Sequence, residues 1–234
     1  MTDDGSASSS RNARCLRAIR GSGNLYTSNC GLPCVQFLFE NWLELTGVIS
    51  GLLCVGLLIK EHVLTFPIGM LYAFVTVVVV ARAMLYADVV LNLYYVLMNA
   101  YGWYYWIYGG RHLRQAAGEL RPQRLSMNTF IYLLGITLLG SVIMGFYFSR
   151  YTQADMAYVD SLTTVASFVA MWMSARKFLS SWVAWFFIDV VQIGLYVVKG
   201  MSTDSGLFLY AGLYGVYLLM AVWGWLQWRQ RLAP

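Results

Sequence analysis

Charge is what this chain has least of. Asp, Glu, Lys and Arg make up 12% of its 234 residues, where a soluble globular chain carries about 25%. With 59% hydrophobic residues and a mean hydropathy of +0.58, that shortage excludes an ordinary soluble domain and points to an integral membrane protein. Histidine is scarcer still. His62 and His112 both fall in loops, so with four cysteines no metal-ligand set forms, and neither a metal nor any other cofactor is expected. Cys30 and Cys34 read as free thiols, or as a disulfide if their region is extracellular. A secretory signal is not expected, because residues 1–31 lack a sufficient apolar core; they read as a Ser- and Arg-rich disordered tail. The net charge of +5 raises nucleic acid as a partner, but the basic residues lie between apolar runs, where membrane topology accounts for them. No nucleic-acid partner is expected.

What is present is a series of apolar runs, each near the ~20 residues that a spanning helix needs. Seven transmembrane helices are predicted, roughly at 42–59, 64–82, 86–108, 127–148, 158–175, 181–199 and 206–227. Loops sharing a side with the C-terminus carry Lys60, Arg111, Arg114, Arg121, Arg124, Arg176 and Lys177, and the tail adds Arg229 and Arg231; the opposite loops carry Arg82, Arg150 and Lys199. The positive-inside rule then places the C-terminus in the cytoplasm and the N-terminus outside. Arg11, Arg14, Arg17 and Arg20 in the N-terminal tail run against that orientation. Segment 32–40 is too short to span and suits the interface.

The chain repeats itself. A shift of 117 residues lays Leu45, Thr46, Val48, Ser50 and Lys60 on Leu162, Thr163, Val165, Ser167 and Lys177. With five extra residues after Lys199, Gly102, Trp103 and Trp106 fall on Gly224, Trp225 and Trp228. Helices 1–3 thus pair with helices 5–7. The predicted fold is all-α, with two parallel three-helix repeats joined by a connector helix (3+1+3), a plan that holds substrate between the halves near midplane. In residues, this gives a tail over 1–41, a first repeat over 42–108 and a basic cytoplasmic loop over 109–126. The connector at 127–148, the second repeat at 158–228 and a tail over 229–234 follow.

The sixth helix carries the most informative residues. Trp182, Trp185, Asp189, Gln192 and Tyr196 follow the three-and-four spacing of one helix face. A carboxylate at membrane depth is expensive and marks a candidate functional site. In the third helix Asn92, Tyr95, Asn99, Gly102 and Trp106 share a face, and the repeat sets Tyr214, Tyr217, Ala221, Gly224 and Trp228 against them. The same shift sets Thr65, Ile68 and Tyr72 against Trp182, Trp185 and Asp189. The candidate substrate-binding set is Trp182, Trp185, Asp189, Gln192, Asn92, Tyr95, Asn99 and Tyr217, suited to a flat, cationic, polar small molecule. Trp42, Trp103, Trp106, Trp223, Trp225 and Trp228 read as interfacial belt residues. Glu44 and Asp160 read as charges favouring helix N-termini, and Lys199 as a snorkelling cation.

Several segments carry a resemblance. They are Trp42-Leu-Glu-Leu-Thr-Gly47, Gly51-Leu-Leu-Cys-Val-Gly56, Leu85-Tyr-Ala-Asp88 and Asn99-Ala-Tyr-Gly102-Trp103-Tyr-Tyr-Trp106. Ala175-Arg-Lys177, Trp182-x-x-Trp185-x-x-x-Asp189 and Leu195-Tyr-x-x-Lys199-Gly200 continue the order. The pattern resembles the PnuC-type nicotinamide riboside transporters of bacteria, from about Trp42 to Trp228, interrupted around helix 4. That family is similar in fold to the SWEET sugar transporters. The resemblance implies uptake of a vitamin precursor across the bacterial inner membrane by facilitated diffusion, with cytosolic phosphorylation trapping the product. It also implies that the Trp-x-x-Trp pair, with the residue four positions later, forms the nicotinamide riboside site, and that Asn92, Tyr95 and Asn99 face it. Position 189 is often Asn in that family; here it is Asp.

No run of carboxylates and histidines offers a proton relay and no interrupted helix a sodium site, so a uniporter is the simplest mechanism. Thiamine, another flat cation, is the nearest alternative cargo; riboflavin, a neutral ring, suits Asp189 less well. An intramembrane enzyme would need a nucleophile with a base, or clustered ligands, at depth, and none is expected. A non-cycling sensor and a homo-oligomer both stay open.

Overall fold

The computed structural model describes residues 42–82, 86–109, 120–151, 156–202 and 207–232. The expectations for the tail 1–41 with its interfacial segment 32–40, for Cys30 and Cys34, for Arg111, His112 and Arg114, and for the side chains of Trp42 and Glu44 lie outside the described residues.

Among the described residues the fold is all-helical. Its elements are α1 (Trp42–Ile59), α2 (Thr65–Arg82), α3 (Tyr86–Tyr108), α4 (Met127–Tyr151), α5 (Ala157–Ala175), α6 (Ser180–Ser202) and α7 (Leu207–Gln230). These agree with the seven helices read from the apolar runs, although α4 continues to Tyr151 and α6 to Ser202. Pro67 sits in the first turn of α2, where its missing N–H deprives no carbonyl of a partner. By length and composition, α2, α4, Ser180–Met201 of α6 and Phe208–Gln230 of α7 are long and apolar enough to cross a membrane. In α3 the polar residues Asp88, Asn92 and Asn99 lower the hydropathy, and in α5 Asp160 with a run of Ser and Thr does so.

Helix α1 packs on α2, α2 on α3, α3 on α5, α5 on α6, α6 on α7, and α7 back on α1. Six helices thereby close a ring. Helix α4 packs on α5 and leaves most of its apolar surface outward, including Ile131, Tyr132, Leu139 and Ile143. In a bilayer that outward surface meets lipid chains as apolar as itself, so the sorting of residues inverts the soluble pattern. Polar side chains go to the ring interior: Ser50, Thr65, Asn92, Asn99, Ser161, Ser167 and Asp189 are all buried. Many hydroxyls are satisfied within their own helix, as when Ser174 Oγ donates to Ala170 O at 3.0 Å.

One end of the ring is closed by aromatic side chains. Phe66 meets Trp106 edge-on at 4.9 Å, and Trp182 meets Trp228 edge-on at 5.3 Å. Each of the two edge-on rings, Phe66 and Trp182, also lies flush against a glycine of the next helix, Phe66 on Gly102 and Trp182 on Gly224. The sequence placed Trp106 and Trp228 in the interfacial belt; they are instead 6% and 0% exposed. The reason is a pair of hydrogen bonds. Trp106 Nε1 donates to Ala175 O at 3.1 Å and Trp228 Nε1 to Leu58 O at 3.2 Å, so each indole ties its helix to the last turn of another. Trp103 and Trp223 are exposed.

The turns at this end are also built differently from the sequence expectation. Lys177, read as a loop charge, is buried and ion-paired with Glu61. The last part of the basic loop is bound rather than solvated: Gln123 N donates to Lys177 O and Leu179 N to Gln123 O, both at 3.0 Å.

A methyl group added at Gly224 would stand 2.5–2.6 Å from the Trp182 ring, whereas Gly135 in α4 has open space. Gly224→Ala is therefore expected to lower stability by about 1–3 kcal/mol through overpacking, with Gly135→Ala neutral. Thermal unfolding of the two variants in the same detergent checks the difference.

Candidate functional site

The stripe on α6 separates into two environments. Trp182, in its first turn, belongs to the aromatic closure; it is 2% exposed, and its Nε1 has no partner among the described residues. Trp185, one turn deeper, is partly buried and donates Nε1–H to Ser174 Oγ of α5 at 3.0 Å. Asp189, a further turn in, is 5% exposed, and among the described residues no Lys or Arg lies within ion-pair distance of it. Gln192 follows, partly buried. The stripe ends at Tyr196, whose ring is stacked between Tyr210 and Tyr214 with centroids 5.6 and 5.5 Å away and interplanar angles of 21° and 23°.

Asp189 has phenols for neighbours. Tyr214 and Tyr217 of α7 lie within electrostatic reach of its carboxylate. Tyr72 of α2 lies in the same range of Tyr95, Tyr196, Tyr214 and Tyr217. Five tyrosines from α2, α3, α6 and α7 thus gather in the ring interior, Tyr214 and Tyr217 beside Asp189 and Tyr95 and Tyr196 toward Asp88. The close approach rests on small residues opposite. The Tyr217 hydroxyl and the Tyr72 ring both lie against Gly51 of α1, and the Tyr95 hydroxyl faces Ser167 of α5.

Both asparagines of α3 are buried. Asn92 Nδ2 donates to Asp88 O and Asn99 Nδ2 to Tyr95 O, each at 2.8 Å and each to its own helix four residues back. One amide N–H is used in this way, which leaves a second N–H and the amide oxygen for other partners. The Asn99 amide oxygen is seated against Gly69 of α2.

Toward the other end of the ring, Asp160 of α5 pairs with Lys199 of α6 at 3.6 Å, both partly exposed. Asp88 of α3 is in electrostatic range of Asp160, Tyr95 and Tyr196. Lys199, read as a snorkelling cation, is thus an ion-pair partner, and Asp160 holds it in addition to standing in the first turn of α5.

Of the predicted set, the structure brings Asp189, Tyr217 and Tyr95 to one aromatic cluster, sets Trp185 between that cluster and the closure, and packs Trp182 into the closure itself. Tyr72, Tyr196 and Tyr214 were not in the set. Tyr196 and Tyr214 stand on two of the stripes already identified, and Tyr72 on the helix 2 stripe laid against Trp182, Trp185 and Asp189, so helical spacing alone could have included all three. A groove between α6 and α7, lined by Val183, Phe186, Phe187, Val222 and Trp225, is apolar throughout and opens on the outward face. It offers a polar cargo nothing.

A family model described as nicotinamide mononucleotide transporter matches residues 41–230. The chain is 24% identical over 189 residues to the nicotinamide riboside transporter PnuC of Escherichia coli K12, covering 70% of this chain and 78% of that one. It is 23% identical over 208 residues to the PnuC of Neisseria mucosa, covering 85% and 76%. A riboflavin/roseoflavin transporter, RibM of Streptomyces davaonensis, is 23% identical over 197 residues, covering 80% and 84%. In three dimensions the chain superposes on a crystal structure of the vitamin B3 transporter PnuC with a TM-score of 0.65 at 21% identity, over 93% of this chain and 96% of that one.

Ser167→Ala removes the hydroxyl that faces Tyr95, leaving a partly buried phenol without that neighbour at an expected cost of about 1 kcal/mol. Tyr95→Phe in the same background should recover most of the loss. Unfolding midpoints of the single and double variants measure this coupling, and simple additivity would show that the two hydroxyls do not interact.

Proposed function

The chain belongs to the nicotinamide mononucleotide transporter family, and on that premise we propose that it takes up nicotinamide riboside by facilitated diffusion across the bacterial inner membrane. The observation that carries this reading is Asp189, a carboxylate buried in midhelix among aromatic rings with no described cation beside it. A buried charge is costly unless paired. The pyridinium of nicotinamide riboside is a planar cation that can supply the missing charge. An aromatic face attracts such a ring, by about 2 kcal/mol or more when water is excluded. Trp185 offers the indole face; Tyr95 and Tyr217 enclose the ring, while Asn92, Asn99 and Gln192 suit the ribose hydroxyls and the carboxamide. Trp182, seated on Gly224, closes the site rather than contacting the ring.

The transport plan we infer is two parallel three-helix halves, α1–α3 and α5–α7, with α4 as connector, all seven helices crossing the membrane. Support comes from matched turns. His62 N→Leu57 O and Phe178 N→Met173 O, 116 residues apart, are both 2.9 Å, and Glu61 N→Leu58 O and Lys177 N→Ser174 O are both 3.0 Å. This register is one residue less than the shift read from the sequence. It sets Trp182 against Phe66 and Asp189 against Ala73, in place of Thr65 and Tyr72. Contacts then match as well: Phe66–Gly102–Trp106 corresponds to Trp182–Gly224–Trp228, and Tyr95 against Ser167 corresponds to Tyr217 against Gly51. The Trp185–Asp189 face has no counterpart in the first half, where Gly69 and Ala73 stand. Substrate therefore binds off-centre, toward α6, and the halves rock about it.

The end that carries Lys60, Arg121, Arg124, Arg176, Arg229 and Arg231 is placed in the cytoplasm by the positive-inside rule. Phosphorylation there would trap the cargo. Riboflavin is the second reading, favoured by the similarity to RibM.

Trp185→Ala is expected to abolish nicotinamide riboside binding by the folded protein. Asp189→Asn should weaken it about tenfold or more, a loss of at least ~1.4 kcal/mol, while affinity for a neutral nucleoside changes little. Titration calorimetry with nicotinamide riboside, thiamine and riboflavin decides; equal losses for charged and neutral ligands would remove the counter-charge role.

A further inference from the structure

Glu61 and Lys177 are the two non-glycine residues with positive φ among the described residues, at 57° and 62°. Each follows the end of a helix, Glu61 after α1 and Lys177 after α5, at the position where glycine is the unstrained choice. A strained backbone that is kept at a charged residue points to a role for that side chain. The side chains meet. Lys177 Nζ lies 2.6 Å from Glu61 Oε2, with side-chain exposures of 5% and 9%. The ammonium also stands 4.4 Å from the centre of the Trp106 ring and donates to the Leu120 carbonyl. Arg231, just beyond α7 and half-exposed, reaches Glu61 Oε1 at 3.7 Å.

We propose that the Glu61–Lys177 pair, backed by Trp106 and Trp228, is the gate of the transporter at the C-terminal end of the bundle. The proposal rests on the transport reading above. Glu61 comes from the α1–α2 turn and Lys177 from the α5–α6 turn, so the pair joins the two halves where the aromatic closure lies. Rocking the halves apart at this end must separate the two charges. The pair suits that task better than an apolar seal would. Closed, Lys177 bonds Glu61 Oε2 and the Leu120 carbonyl while Glu61 Oε1 stays buried without a hydrogen bond among the described residues; opened, both ions regain water, so the desolvation that burdens a buried pair is returned. Such a contact favours two discrete states over a continuum. Arg231 tethers α7, of the second half, to the same carboxylate.

The test is side-specific labelling of a cysteine placed behind the gate. Ser181→Cys is suitable, because Ser181 is 1% exposed and lies in the first turn of α6 beside the aromatic closure. In membrane vesicles of known orientation, an impermeant maleimide should label it slowly from the gate side. Glu61→Gln and Lys177→Met should each raise that rate about tenfold or more, the shift expected when the closed state alone loses an interaction. Labelling from the opposite side should not rise, and a residue with a merely structural role would lower the unfolding temperature without this asymmetry. An unchanged rate in folded variants overturns the proposal. Should either buried variant fail to fold, Arg231→Ala, a change at a half-exposed residue, keeps the question decidable. It must give a smaller rise on the same side, and no rise overturns the gate. Labelling needs no substrate, so failure of nicotinamide riboside to bind would count against the cargo and leave the gate result standing.

Discussion

The close approach of α2 to α3 and of α6 to α7 rests on one kind of contact, an aromatic ring laid against a glycine and capped edge-on by an indole. In a bilayer no hydrophobic force drives helix against helix, because lipid tails are as apolar as leucine; packing and interhelical hydrogen bonds must hold them. Phe66 on Gly102 and Trp182 on Gly224 supply the packing. The indole N–H bonds of Trp106 and Trp228 to the ends of α5 and α1 supply the rest. Once these helices are fixed at one end, the polar faces of α3 and α6 turn inward along their length. The site exists because that end is closed.

That dependence explains what could be read from the residues alone. Apolar run length located the helices, because a membrane-crossing helix announces itself by composition. The stripe spacing placed Asp189 and Asn99 inside the ring, since a polar group at depth has nowhere else to go. Tryptophan position was the weak signal. Trp106 and Trp228 lie near helix ends, as belt residues do, and nothing local distinguishes an indole that meets lipid headgroups from one that meets a helix-end carbonyl. Lys177 misled in the same way: a lysine after a helix looks like a topology marker, and only the fold of a turn more than a hundred residues earlier brings Glu61 to it. The turns after α1 and α5 match at a spacing of 116 residues rather than the 117 read from the shared leucines and threonines.

In the proposed division into α1–α3 and α5–α7 the two halves are unequal. Where the second half carries Trp185 and Asp189, the first half carries Gly69 and Ala73. Gly69 in turn makes room for the amide of Asn99. One half thus contributes charge and ring faces, while the other contributes space and amide groups. A flat cation bound as proposed would touch both halves through different chemistry.

The two main-chain bonds of Gln123 carry a mechanical consequence. They splice the end of the long loop onto the α5–α6 turn, and α4 itself lies along α5. Helix α4 is therefore fastened to α5 at its flank and, through the loop that leads into it, to the α5–α6 turn. In the rocking motion proposed above, the protein would divide into a light body of three helices and a heavy one of four, the spliced loop moving with the heavier.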